Sequence, residues 1–236
     1  MADSKVYDQL ILLANEEKAS VFLRFFKTGK GQYAEGDKFL GITVPQVRSI
    51  AKENFRNLDL EEISKLIENP FHEIRLCALI MLTYKFQAAD KIERKEIYKL
   101  YLKNKAYVNN WDLVDSSADK VLGEYLFENS EEIRILENLA TSGNLWDRRI
   151  SVLATFAFIK KNQFDEAIKI SEILLNDKHD LMHKAVGWML REIGKREISR
   201  LITFLDKYYR VMPRTMLRYS IEKLTVERKK HYMSKS

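Results

Sequence analysis

The chain has 236 residues, 46% apolar, 31% charged and 11% aromatic, with 40 Lys/Arg against 34 Asp/Glu for a net charge of +6. Eight Gly and three Pro are too few for the turns of an all-β sandwich or barrel, and the apolar fraction is too high for disorder. The single cysteine, Cys77, excludes an intrachain disulfide and fits a reducing, cytoplasmic setting. No apolar run approaches the ~18 residues of a membrane span, and the N-terminal MADSKVYDQL has the wrong charge order for a secretion signal.

Residues 1–56 are the least regular and read as N-terminal capping helices. Thr43-Val44-Pro45 opens one of them, with Thr as the cap and Pro in the first turn. Leu58 to Glu68 is amphipathic, and His72 to Phe86 is apolar nearly all round, as a central helix should be. The same couplet of a polar-faced helix and a more apolar one then recurs four times. It pairs Lys91–Leu102 with Asn110–Phe127, Glu131–Ala140 with Leu145–Lys160, Phe164–Leu175 with Leu181–Ile193, and Glu197–Tyr208 with Arg214–Leu224. The second helices start near 72, 110, 145, 181 and 214, a spacing of 33 to 38 residues. Turn and capping residues mark breaks at Asn69-Pro70, Asn129-Ser130, Ser142-Gly143 and Asn176-Asp177. One helix pair cannot bury its apolar face, whereas stacked pairs share a continuous core. The period therefore predicts an all-α fold, an α-solenoid superhelix of HEAT-like repeats whose second helices line a concave groove. Residues 1–226 read as one repeat domain and 227–236 as a charged C-terminal tail. The tetratricopeptide pattern, which shares a similar period, is missing.

Charge is unevenly placed. Residues 1–140 hold 20 Lys/Arg and 23 Asp/Glu, a balance of −3, and residues 141–236 hold 20 and 11, a balance of +9. Such a surplus suits a polyanion, because many weak phosphate contacts add through counterion release, and it predicts a basic groove. A solvated, lysine-rich helical surface is the alternative.

The three tryptophans, Trp111, Trp146 and Trp188, each lie in a second helix. In Asn110-Trp111-Asp112-Leu113-Val114-Asp115, Trp111 and Asp115 are i and i+4 and share a helix face, while Leu113 and Val114 point elsewhere. Lys184 and Trp188 repeat that spacing two repeats later. Adjacent helices in a stack lie ~8–10 Å apart, which would set Arg149 between the two pairs on one wall. Tryptophan on a helix is more often core than ligand contact, and Trp146, at a helix start, is assigned to packing. Asp115 could also serve only as an ion-pair partner or a cap, and a helical wheel does not distinguish a concave face from a buried one.

Gly31-Gln32-Tyr33-Ala34-Glu35-Gly36 has the spacing of a phosphate loop, but Asp37-Lys38 follows where Lys-Ser/Thr is needed and no strand precedes it, so ATP binding is not expected. His179 and His183 have the i,i+4 spacing of metal ligands without the glutamate or third ligand of a zinc site, and read as structural or solvent-facing. Neither a metal nor a cofactor is expected.

The sequence resembles the AlkD-type DNA alkylation-repair glycosylases, from the first helices to about Leu224. The segments that carry the resemblance are Gly31 to Asp37, Gly41-Ile42-Thr43-Val44-Pro45, Asn110 to Asp115, Leu145-Trp146-Asp147-Arg148-Arg149, His183 to Glu192 and Met212-Pro213-Arg214. The resemblance implies removal of N3- and N7-alkylated purines from duplex DNA without full base flipping. It implies Trp111 and Trp188 as cleft aromatics, Asp115 as the catalytic carboxylate, Arg149 as a cleft cation at the backbone and Arg191 as a phosphate contact. Arg148 joins the DNA contacts, and helical placement adds Lys184, Arg214 and Arg218. The expected partner is alkylated double-stranded DNA, bound by a monomer with no membrane association. A non-catalytic binder of DNA structures and a protein-interaction scaffold are the rival readings of the same repeats.

Overall fold

A computed structural model describes residues 5–234 of the chain. Regular structure among these residues is helical, apart from one isolated bridge between Lys38 and Phe71. The chain divides into two compact units, Met1–Val121 and Leu122–Ser236. That boundary falls inside the segment 110–127, which periodicity reads as one helix. None of the described helices is long and apolar enough to cross a membrane.

The first unit holds α1 (Lys5–Ile11), α2 (Glu16–Phe25), α3 (Val44–Asn54), α4 (Leu60–Ile67), α5 (His72–Ala88), α6 (Lys91–Lys103) and α7 (Trp111–Ser117). The first three fall within residues 1–56, and α3 starts after Thr43, whose N–H donates to Gln46 Oε1 at 3.1 Å. At α4, Asp59 and Glu62 exchange side-chain and backbone bonds at 2.8 Å each, a reciprocal cap that satisfies two donors at the helix start. Helix α5 is the centre of the unit, with 13 of its 17 residues buried. It packs against α3, α4 and α7, as an all-round apolar helix must. Each fully buried Leu or Ile there contributes about 1.5–3 kcal/mol.

The second unit holds α8 (Glu124–Glu128), α9 (Ile135–Ala140), α10 (Leu145–Ala154), α11 (Phe156–Lys160), α12 (Asp165–Ile173), α13 (Asp180–Gly194), α14 (Ile198–Tyr208), α15 (Arg214–Ser220) and α16 (Val226–Met233). Helices α9/α10 and α12/α13 pair as the sequence period requires, whereas α14 packs mainly against α13 and not against its expected partner α15; the second members α10, α13 and α15 pack in series. Two expected continuous helices are interrupted. The segment 110–127 passes through a π turn at Asp119–Gly123, and 145–160 breaks at Thr155. A hydroxyl turns back on its own helix just before the first break and at the second: Ser117 Oγ donates to the Leu113 carbonyl at 2.7 Å, and Thr155 Oγ1 to that of Val152 at 2.6 Å. Such back-bonding competes with the helical ladder and bends it. The charged tail is helical over most of its described length. It forms α16, docked by buried Tyr232, whose hydroxyl donates to Asp206 Oδ1 at 2.7 Å.

Gly187 lets α13 and α15 approach closely. A Cβ there would lie 2.6 Å from the Met216 carbonyl oxygen and 2.5 Å from Tyr219 Cβ. Gly187→Ala gains about 1 kcal/mol of intrinsic helix propensity but forces two helix backbones apart, which costs more. A net loss of about 1–3 kcal/mol is expected, read as a lower urea midpoint at unchanged slope.

Candidate functional site

Helix α7 begins at Trp111 because fully buried Asn110 turns its Oδ1 onto the Trp111 N–H at 2.8 Å. This satisfies a donor that the helix start would otherwise leave open. Leu113 and Val114 are completely buried, so they anchor the turn from the core side. Trp111 and Asp115 are both half-buried. The carboxylate is thus neither sequestered in the interior nor fully in solvent.

The Trp111 ring stacks on Phe26 with centroids 5.4 Å apart and planes 19° off parallel, and meets Phe25 edge-on at 6.0 Å. The stack continues from Phe26 to Phe39 (4.9 Å, 20°) and from Phe39 to His72 (4.5 Å, 22°). Beside it opens a cavity of about 380 Å³, lined by Val21, Phe22, Phe25, Ile42, Leu76 and Trp111 among others. No helix of the second half of the chain is needed to form it. It arises where α2, none of whose residues is fully buried, lies over α5 and α7.

At the end of the stack, His72 is 1% exposed and its ring bridges two carboxylates. Nδ1 lies 3.0 Å from Asp37 Oδ2 and Nε2 lies 2.8 Å from Asp112 Oδ2. Arg75 completes the network through Nη2, 2.7 Å from Asp37 Oδ1. Burial alone would lower the His72 pKa, but the charges and hydrogen bonds of Asp112 and Asp37 outweigh it and raise it to about 9. Burial likewise pushes the Asp37 carboxyl up, and the His72 and Arg75 contacts overcome that and hold it below its ordinary 3.8.

These shifts fix a pH window. A histidine whose folded pKa exceeds its unfolded value near 6.5 stabilises fully below that value, and the gain is lost as pH rises through about 9. The depressed Asp37 contributes above pH 3.8 and loses its contribution as pH falls. Burial pushes the Cys77 thiol up to about 12, so its loss begins only above its ordinary 9. Stability should therefore fall between pH 6.5 and 9 by on the order of 3 kcal/mol, and His72→Gln should flatten that slope in urea titrations across the window.

The remaining expected residues belong to the second unit. Arg149 on α10 is 5% exposed, and its Nη1 donates to the Leu181 carbonyl at 2.7 Å, at the start of α13. Little of its guanidinium is left for a phosphate in this arrangement. Arg148 is half-buried, with Nε donating to Asp177 Oδ2 at 2.7 Å and Nη1 to the Ser142 and Gly143 carbonyls. The two arginines tie the start of α10 to the turn before α13. Trp146 is buried, in keeping with a packing role. Half-buried Trp188 packs on Phe156 at 6.0 Å, and Lys160 and Arg196 lie over that Phe156 ring at 5.4 and 5.9 Å. Lys184 pairs with Asp180 at 2.7 Å and Arg191 with Glu222. Arg214 and Arg218 are exposed, Arg214 donating to the Met233 carbonyl at 3.1 Å.

The glycine loop is closed by its own side chains: the Gly31 N–H donates to Glu35 Oε2 at 2.7 Å and the Gly29 N–H to Gln32 Oε1 at 2.9 Å. His179 caps α13, accepting from the Leu181 N–H at 3.2 Å, and His183 Nε2 lies 2.6 Å from the Asp177 carbonyl. Sequence reasoning passed over the His72–Asp37–Asp112 bridge. Its signal was a titratable pair at the start of an otherwise apolar helix, His72-Glu73, with an aspartate next to Trp111.

Stacked helix pairs, with a half-buried tryptophan and carboxylate one turn apart, define a helical-repeat protein with an acidic and aromatic turn at α7. The chain belongs to the DNA alkylation repair enzyme family, whose profile matches residues 6–224. Membership implies DNA as the partner. Among solved structures, it is similar to a predicted DNA alkylation repair enzyme from Enterococcus faecalis, at 18% identity and TM-score 0.70, covering 90% of this chain and 97% of that one. AlkD2 from Streptococcus mutans matches at 17% identity and TM-score 0.56, covering 89% and 99%. The smu.31 protein of Streptococcus mutans UA159 matches at 20% and 0.55, covering 78% and 92%. At these identities the likeness is one of fold. Comparison with proteins of curated function finds no match.

Proposed function

We propose that this protein is a DNA glycosylase that hydrolyses the N-glycosidic bond of N3- and N7-alkylated purines in duplex DNA, acting as a cytoplasmic monomer. The observation that carries the reading is Asp115, a half-buried carboxylate one turn after Trp111 on a helix whose other side is anchored in the core. Alkylation at N3 or N7 makes the purine cationic, so it leaves without a general acid. As the C1′–N bond breaks, its electron pair neutralises the base and positive charge builds on the deoxyribose. Asp115 stabilises that charge and orients a water that adds to C1′, its proton passing to the carboxylate or solvent. The products are the free alkylpurine and an abasic site.

The faces of Trp111 and Trp188 carry negative quadrupole density suited to a cationic sugar and base. Lys184, Arg191, Arg214, Arg218 and Arg148 would meet phosphates, and Arg149 would act by bracing the start of α13. The test is incubation with duplex DNA carrying N7-methylguanine, scoring abasic sites. A protein that binds the duplex but releases nothing would be the non-catalytic binder instead.

Excision without full flipping fits the polar groups bordering the cavity beside Trp111. His72 and Asp112 are bonded to each other, and Glu73 accepts three backbone N–H groups, which leaves little to read the edge of an extruded base. A bulky N7 adduct of equal intrinsic lability should be released at about the methyl-lesion rate. If bulk alone abolishes release, the base does enter an enclosed pocket.

A further inference from the structure

We propose that His72 is a positioning residue for α7: clamped between Asp37 and Asp112 and closing the stack of Phe39 and Phe26 on Trp111, it fixes the turn that carries Trp111 and Asp115. The inference rests on the reading of those two residues as site residues.

Two physical connections run from His72 to α7. The first is polar. His72 Nε2 holds Asp112 Oδ2 at 2.8 Å, and the other oxygen of Asp112 accepts from the Leu113 N–H at 2.9 Å, so one carboxylate is fixed at once to α5 and to the first turn of α7. The second is the unbroken stack His72, Phe39, Phe26, Trp111, with successive centroids 4.5, 4.9 and 5.4 Å apart. Displacing the imidazole disturbs Trp111 from both directions.

The charged groups around the ring make its proton matter. Asp37 faces it from the loop before α3 and Asp112 from α7, while Arg75, one turn along α5, donates to Asp37 at 2.7 Å. Glu73, its neighbour on α5, is turned onto the backbone N–H groups of Leu40, Gly41 and Ile42. An imidazolium makes the two aspartates, His72 and Arg75 sum to zero charge. Loss of its proton leaves one net negative charge among buried groups, with side-chain exposures of only 2–13%. A neutral ring also has a single N–H, so it can donate to only one of its two carboxylates and the bridge is broken. The same ring therefore serves as a bridge only while it is charged.

The experiment follows Trp111 emission in a Trp146→Phe, Trp188→Phe protein from pH 6 to 10, alongside base release by the otherwise unaltered protein. Four histidines in the chain allow the His72 ring signals to be followed in parallel by NMR. Emission should change in one step with its midpoint near 9, where His72 titrates. Asp112→Asn keeps the shape and removes the charge that favours protonation, so it should move that midpoint down by about one pH unit or more. His72→Gln should abolish the step and lower single-turnover release at least about ten-fold with duplex affinity retained, the signature of misplacement rather than lost binding. Emission that stays flat while His72 titrates, or a midpoint unmoved by Asp112→Asn, would overturn the proposal. If the wild-type protein releases no base at any pH, the glycosylase reading falls, and the emission arm still decides the role of His72.

Discussion

Asp115→Asn should reduce release of N7-methylguanine from duplex DNA by about 10²–10³-fold, equivalent to about 3–4 kcal/mol of transition-state stabilisation. The substitution preserves shape and removes charge. A cationic alkylpurine supplies its own leaving-group activation, so the residual barrier lies in the positive charge building at the deoxyribose. A neutral amide neither offsets that charge nor takes a proton from water. Duplex affinity should change by no more than about two-fold, because phosphate contacts made by cations dominate it. Single-turnover release with enzyme in excess, together with a binding titration at fixed salt, separates the two quantities. A carboxylate serving only as an ion-pair partner predicts the opposite result: release per folded molecule unchanged and the melting temperature lowered. Wild-type release rates in Asp115→Asn would remove the mechanism.

Glu73→Gln should destabilise the protein by about 2–4 kcal/mol, a large share of the 5–15 kcal/mol typical of whole proteins. Glu73 is 2% exposed and its carboxylate accepts three backbone N–H groups, from Leu40 at 2.9 Å, Gly41 at 2.8 Å and Ile42 at 3.2 Å. An amide offers one oxygen where the carboxylate offers two, so its NH₂ must face a backbone donor and a buried N–H is left unpaired. The loop is closely fitted against its neighbours. Gly41 sits at φ 80°, and a Cβ on it would lie 2.1 Å from the Asn15 carbonyl oxygen. The same loop carries Phe39 into the aromatic stack, so Trp111 emission should change along with the urea midpoint. A midpoint within about 0.5 kcal/mol of wild type would mean that the loop holds itself without the carboxylate.

The helical class and the repeat were legible because each is written locally. Apolar residues every three or four positions define which side of a helix is buried, and residues such as Asn110, Asp59 and Thr43 mark where helices begin. The pairing of α9 with α10 and of α12 with α13 followed from that period alone, whereas α14 packs mainly on α13 and not on α15 as the period implied. The same logic overran at 110–127 and 145–160. Ser117 and Thr155 have hydroxyls that choose between solvent and a backbone carbonyl, and periodicity carries no trace of the choice. The tail was read by its charge alone; that Tyr232 docks it on Asp206 is a tertiary contact that charge does not encode.

What the sequence determined unaided was an all-helical repeat chain, and a tryptophan and an aspartate placed a turn apart on one second helix. The shared face of Trp111 and Asp115 follows from 3.6 residues per turn and needs no knowledge of neighbours. Tertiary structure alone decided that His72 bridges Asp37 and Asp112, partners 35 and 40 residues away. It also decided that Arg149 turns its guanidinium to the carbonyl of Leu181, 32 residues on. A helix pattern specifies directions about the helix's own axis. Which side chains meet depends on how separate axes pack and on where a buried charge finds its counter-charge, and those are properties of the assembled core.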